Sequence, residues 1–102
     1  MAMRNPPHPG EILKELYIRP LGLKQKDMAA GMGITKKALS ELLNGHTSLS
    51  TLMALRLAEA FDTTPEFWLQ LQQHYDLYKA QLAFEGHPIH HYRPRTQSLS
   101  MT

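Results

Sequence analysis

Five polar residues recur at helical spacing near the middle of the chain: Lys36, Lys37, Ser40, Glu41 and Asn44. Ammonium, hydroxyl, carboxylate and amide groups on one helix face do recognition chemistry. They donate and accept hydrogen bonds over a surface short enough to enter a major groove about 12 Å wide. The same types also suit a solvated helix face, and Glu41 can pair with Lys37 one turn earlier for a few tenths of a kcal/mol. Bond-making chemistry is absent from the pattern. Asp27, Asp62 and Asp76 fall on helix surfaces or ends, no hydroxyl or carboxylate stands in a catalytic frame, and nothing activates a nucleophile. No enzyme is expected.

Two short helices must position this face. Met28, Met32, Ile34, Leu39 and Leu42 occupy inward positions, and Ala29 stands where the helices approach most closely. Gly33 supplies the positive φ of the turn between them. A small residue at the crossing, a turn glycine and apolar locks on either side are what a helix-turn-helix needs.

The rest of the chain reads as support for that pair. Met1–His8 is an extended arm, and Pro9 opens a first helix at a position where its missing N–H costs nothing. Glu11 favours that helix start, and Ile12, Leu13 and Leu16 form its inward face. Pro20 disfavours helical geometry at Arg19, so the first helix is expected to end near residues 17–19. A second helix begins near Lys24 and is crowded to a stop by Gly31 and Gly33. Thr35 caps a third, Lys36–Leu43, with Ala38, Leu39, Leu42 and Leu43 inward and Asn44-Gly45 as its stop. Ser50 caps a fourth, to about Phe61, apolar almost all round and so expected to be central; only Thr51, Arg56 and Glu59 need water.

Thr64-Pro65-Glu66 starts a fifth helix to about Phe84, a rod of roughly 30 Å. Phe67, Trp68, Leu71, Tyr75, Tyr78 and Leu82 make one apolar stripe, while Leu69, Leu77, Ala80 and Phe84 make another. One stripe serves the core; the second points to a subunit interface. Gly86 and Pro88 end the helix before a loosely ordered tail, in which Ile89–Tyr92 is a candidate for weak pairing in a dimer.

Composition narrows the class further. The chain has 102 residues, no cysteine, 42% hydrophobic and 20% charged residues, and a formal charge of +2. Disulfide scaffolds, thiolate nucleophiles and cysteine-based zinc sites are excluded. The mild positive balance permits nucleic-acid binding without requiring it. No stretch approaches the ~20 apolar residues of a spanning helix, and the start lacks a secretory core. A cytoplasmic chain with no membrane partner is therefore expected. His87, His90 and His91 are the one cluster resembling metal ligands, but three imidazoles in a tail without a rigid fourth ligand make a weak site, and neither metal nor cofactor is expected.

The stretch Gln25-Lys-Asp-Met-Ala-Ala-Gly-Met-Gly-Ile-Thr, followed by Leu39-Ser-Glu-Leu-Leu-Asn-Gly, resembles the lambda-repressor-like (Cro/C1, XRE) helix-turn-helix. With His8-Pro-Gly-Glu-Ile-Leu, Pro20-Leu-Gly-Leu, Met53-Ala-Leu-Arg-Leu-Ala and Thr64-Pro-Glu-Phe-Trp-Leu-Gln-Leu-Gln, residues 8–79 more closely resemble the HigA-type antitoxins. The resemblance implies a five-helix homodimer that represses its own operon at an inverted-repeat operator and neutralises a HigB-type mRNA-cleaving toxin. It places Gln25 on a phosphate at a helix N-terminus. Thr35, Lys36 and Lys37 match the leading residues of the recognition helix, Ser40 and Glu41 lie further along it, and Asn44, His46 and Thr47 match the loop that touches backbone phosphate. Lysines suit guanine O6 and N7, and a glutamate can accept from cytosine N4. Glu41 and His46 depart from the family's usual types.

The expectation is an all-α, lambda-repressor-like DNA-binding domain over 9–85, with an elongated last helix. A flexible arm (1–8) and tail (86–102) flank it. The toxin would dock away from the groove-facing helix, on the arm, the first helix or the tail, with the N-terminal side favoured. Two alternatives stay open: a stand-alone phage-like or metabolic repressor, and a protein-interaction module that no longer binds DNA.

Overall fold

The computed structural model describes residues 5–94, so the readings made for residues 1–4 and 95–102 lie outside it. Five helices follow one another, with no strand among the described residues. Helix α1 comprises three contiguous segments: α-helical Pro9–Leu13, π-helical Lys14–Ile18 and α-helical Arg19–Leu21. Then come α2 (Gln25–Met32), α3 (Lys36–Leu43), α4 (Thr51–Phe61) and α5 (Pro65–Phe84).

Local capping chemistry explains most of the starts. An orphan amide of the first turn is met by His8 Nδ1 (Gly10 N, 2.9 Å), Thr35 Oγ1 (Ala38 N, 3.0 Å), Ser50 Oγ (Met53 N, 3.0 Å) and Thr64 Oγ1 (Phe67 N, 3.2 Å). Only α2 opens without a side-chain cap.

Helix α1 corrects one expectation. It does not stop before Pro20 but continues to Leu21 and ends at Gly22, with Arg19 held in helical geometry. The π segment is the reason. Arg19 N–H reaches back five residues to the Lys14 carbonyl, and the widened turn accommodates a proline ring that an unbroken α-helix would reject. Each π residue also turns less than an α residue. Leu16, expected inward, is therefore 61% exposed, while Tyr17 and Ile18 swing to the core.

The core gathers Leu13, Leu39, Leu42, Ala54, Leu57 and Trp68 where α1, α3, α4 and α5 meet. Trp68 is fully buried, its indole N–H donates to Thr63 Oγ1 (2.7 Å), and Tyr17 and Phe67 pack on it at 5.3 and 5.0 Å. Ala38 is only half-buried.

Helix α4 departs from its central role. It buries Ala54, Leu57 and Ala58 but leaves Leu52 and Leu55 59% and 51% exposed, because α2 and α5 pack against only one side of it. In α5 the first stripe likewise divides. Trp68 is buried, Leu71, Tyr75 and Tyr78 are half-buried, and Phe67 and Leu82 are exposed. Leu69 of the second stripe is half-buried; Leu77, Ala80 and Phe84 are open, as is every described residue from Lys79 onward. Ile89–Tyr92 forms no strand in the single chain.

One buried polar side chain anchors the loop after α3. Gln72 Oε1 accepts from Leu49 N (2.7 Å), and its amide N–H donates to Asp76 Oδ1 (2.9 Å). Gln72→Leu is expected to leave the Leu49 amide unpaired and to lower stability by about 1–3 kcal/mol, read from urea unfolding. An unchanged midpoint would mean that the loop finds another partner.

Candidate nucleic-acid interface

The turn that orients the site is built as its residues demand. Helix α2 ends at Gly33 in the left-handed region (φ 73°, ψ 31°), with Ile34 N–H returning to the Ala29 carbonyl at 3.0 Å. Thr35 is extended and starts α3. Met28, Met32, Leu39 and Leu42 are buried, Ile34 is half-buried, and Ala29 is 2% exposed, so the inward set meets as its spacing predicted.

Of the outward set, Lys36, Lys37 and Asn44 are exposed, while Ser40 and Glu41 are half-buried. Asn44 makes a long hydrogen bond through Nδ2 to Ser40 Oγ (3.4 Å). Glu41 and Lys37 form no ion pair; among the described residues the one ion pair joins Arg19 and Glu15. Glu41 instead contributes its backbone carbonyl, which accepts from His46 N–H at 2.9 Å. Gln25 is exposed as the first residue of α2, Thr35 is exposed at its cap position, and Lys24 and Lys26 flank Gln25 in the open. His46 and Thr47 are exposed on the loop after α3. None of the nine residues is buried, so all keep access to a ligand.

Three supporting residues escaped the sequence reading. Arg56, expected to face water, is half-buried and donates through Nη1 to the Met32 carbonyl (2.6 Å), closing the C-terminal end of α2. A β-carbon on Gly33 would lie 3.0 Å from that same Nη1, so the turn and the arginine share one small space. An arginine inside an otherwise apolar helix was the available signal. Gly10 lies against the end of α3, where a β-carbon would meet the Leu42 carbonyl oxygen at 1.9 Å. His8, assigned to the arm, is buried and joins α1 to the loop that carries Thr47.

Arg56→Met keeps much of the stem volume and removes the charge-assisted hydrogen bond. The expected loss is about 1.5–3 kcal/mol in chemical denaturation. Wild-type stability in that variant would show the Met32 carbonyl to be satisfied in another way.

Among the described residues, no three His, Asp or Glu side chains gather as metal ligands would, and His90 packs edge-on to Tyr92 at 4.5 Å. No helix there is long and apolar enough to cross a membrane.

A model of the helix-turn-helix family matches residues 13–68. The chain is 42% identical over 78 residues to a transcriptional regulator of helix-turn-helix type from Haemophilus influenzae, spanning 76% of this chain and 73% of that protein. It is 37% identical over 82 residues to antitoxin HigA-1 of Vibrio cholerae, spanning 80% and 77% respectively. Among solved structures, antitoxin GraA in complex with its operator matches with a TM-score of 0.80 at 35% identity, covering 91% of this chain and 97% of that one.

Proposed function

This chain belongs to the helix-turn-helix family that includes the HigA antitoxins, and on that premise we propose that it is an operator-binding autorepressor and the antitoxin of a type II toxin–antitoxin pair. One observation carries the reading. The recognition helix α3 is locked to the core through Leu39, Leu42 and Leu43, while Lys36, Lys37 and Asn44 at its edge remain uncovered. The operator complex of GraA supports the same use of the fold.

In this reading Thr35, Lys36, Lys37, Ser40 and Glu41 approach base edges or flanking phosphates. Gln25 grips a phosphate from the start of α2, and Asn44, His46 and Thr47 touch the backbone. Two copies present α3 to successive major-groove faces about 34 Å apart, matching an inverted repeat. The open apolar side chains of α4 and α5, among them Leu52, Leu55 and Leu77, supply surface for joining the copies. The toxin partner is of the HigB type and docks away from α3, with the N-terminal side favoured. The working compartment is the cytoplasm, and the chain acts by binding, without catalysis of its own.

The test is co-expression with the neighbouring small open reading frame, together with gel retardation of the DNA upstream of the pair. Retarded DNA, a co-purified neighbour and relief of growth arrest are the expected results. Retardation with no neighbour bound favours a stand-alone repressor, the reading that the Haemophilus regulator supports. Retention of the neighbour without retardation leaves only the antitoxin half.

A further inference from the structure

We propose that His8 is a positioning residue for DNA binding, holding the loop after the recognition helix in place; this rests on the operator-binding reading above. His8 is buried, although it stands at the end of the segment read as an arm. Its ring makes two hydrogen bonds that determine one another. Nδ1 accepts from Gly10 N–H (2.9 Å), so that nitrogen keeps its lone pair and the ring hydrogen sits on Nε2. Nε2 then donates to the Thr47 carbonyl at 2.9 Å, across 39 residues of chain. The Tyr75 ring meets the imidazole edge-on at 5.0 Å, which fixes its orientation. The imidazole also fills the space over Gly45, where a β-carbon would lie 3.7 Å from the ring.

The loop needs such a hold. His46, Thr47 and Ser48 are all exposed and contribute no buried side chain to the core. Among the described residues, the side chains that tether the loop from outside are His8 at Thr47 and Gln72 at Leu49. His8 secures the half nearer α3, which carries Asn44, His46 and Thr47, the residues assigned to backbone phosphate. Releasing that half frees the loop while α3 keeps its own locks. A mobile loop must be ordered again on each binding event, and that ordering weakens the grip on phosphate without altering the reading of bases.

His8→Asn separates the two duties of the ring. Asparagine caps helices well but is too short to span to Thr47. The variant keeps the cap but loses a buried ring and one hydrogen bond, so its melting temperature is expected to fall by about 5–10 °C, while it stays folded at 25 °C and binds operator about tenfold more weakly. The slope of log affinity against log salt should shallow by about 0.9 for each phosphate that the loop no longer neutralises. Phosphate-ethylation interference should fade opposite the loop and persist under α3. Without DNA, amide exchange should quicken at Gly45 and His46 and stay unchanged in α1 and α3. His8→Ser, another short capping residue, carries the test if His8→Asn does not fold. Wild-type affinity, salt slope and exchange in the variant would overturn the proposal, as would a footprint that fades evenly in step with falling stability. If the wild type itself fails to retard its upstream DNA, the operator-binding reading falls first; unchanged exchange in the variant defeats the positioning role independently.

Discussion

Gly10→Ala is expected to cost about 3 kcal/mol of stability and to lower the melting temperature by about 12–24 °C, a large effect for one added methyl. The added carbon would sit 1.9 Å from the Leu42 carbonyl oxygen and 3.0 Å from the Leu43 Cα, and both are backbone atoms that no rotamer change can move. Helix α1 or the end of α3 must therefore shift bodily. Leu42 and Leu43 are core residues, and the Leu42 carbonyl accepts from Gly45 N–H at 3.1 Å, so the displacement spreads into the recognition unit and the loop beyond it. Gly31→Ala is the control. Gly31 lies in α2 with open space around its Cα, so the same change there should be neutral or stabilise by about 0.5–1 kcal/mol through helix propensity. Thermal melts followed by circular dichroism read both. Equal melting temperatures for the two variants would mean that α1 does not press on the end of α3.

The second large effect is on binding. Lys36→Ala combined with Lys37→Ala should leave the melting temperature nearly unchanged, since both side chains are exposed and surface changes of this kind stay within about 0.5 kcal/mol. Operator affinity should collapse. If each lysine neutralises one phosphate, the doubly substituted dimer leaves about four phosphates bare, and the salt slope falls by about 3.6. Carried from 1 M salt to about 0.15 M, that slope corresponds to a loss on the order of 10³-fold, or about 4 kcal/mol. A salt series of gel-retardation titrations measures slope and affinity together. An unchanged slope would remove these lysines from the interface, whatever the helix presents in their place.

Much of the fold was legible because its signals are local. Thr35, Ser50 and Thr64 cap α3, α4 and α5 as their types and positions indicated, since an N-cap needs only a side-chain oxygen and an amide three residues on. Gly33 takes its left-handed turn for a similarly local reason. The exposed edge of α3 was legible too: Lys36, Lys37 and Asn44 point away from a stripe whose period is that of the helix itself. Pro20 misled because the rule for residues before proline assumes an α-helical path, and the π segment supplied another. Leu16 was misplaced for the same reason, as its expected face was counted at the wrong angular step.

By itself, then, the sequence determined which segments are helical, where most of them begin, and which edge of α3 meets solvent, because those outcomes follow from groups within about one turn of each other. The tertiary structure alone decided what holds that edge at a fixed angle. Arg56 reaches Met32 across 24 residues, Gln72 reaches Leu49 across 23, and His8 reaches Thr47 across 39. No spacing rule connects such pairs. They meet only because the crossing of α1 with α3, and the packing of α4 and α5 around them, bring distant backbone groups to side chains long enough to satisfy them.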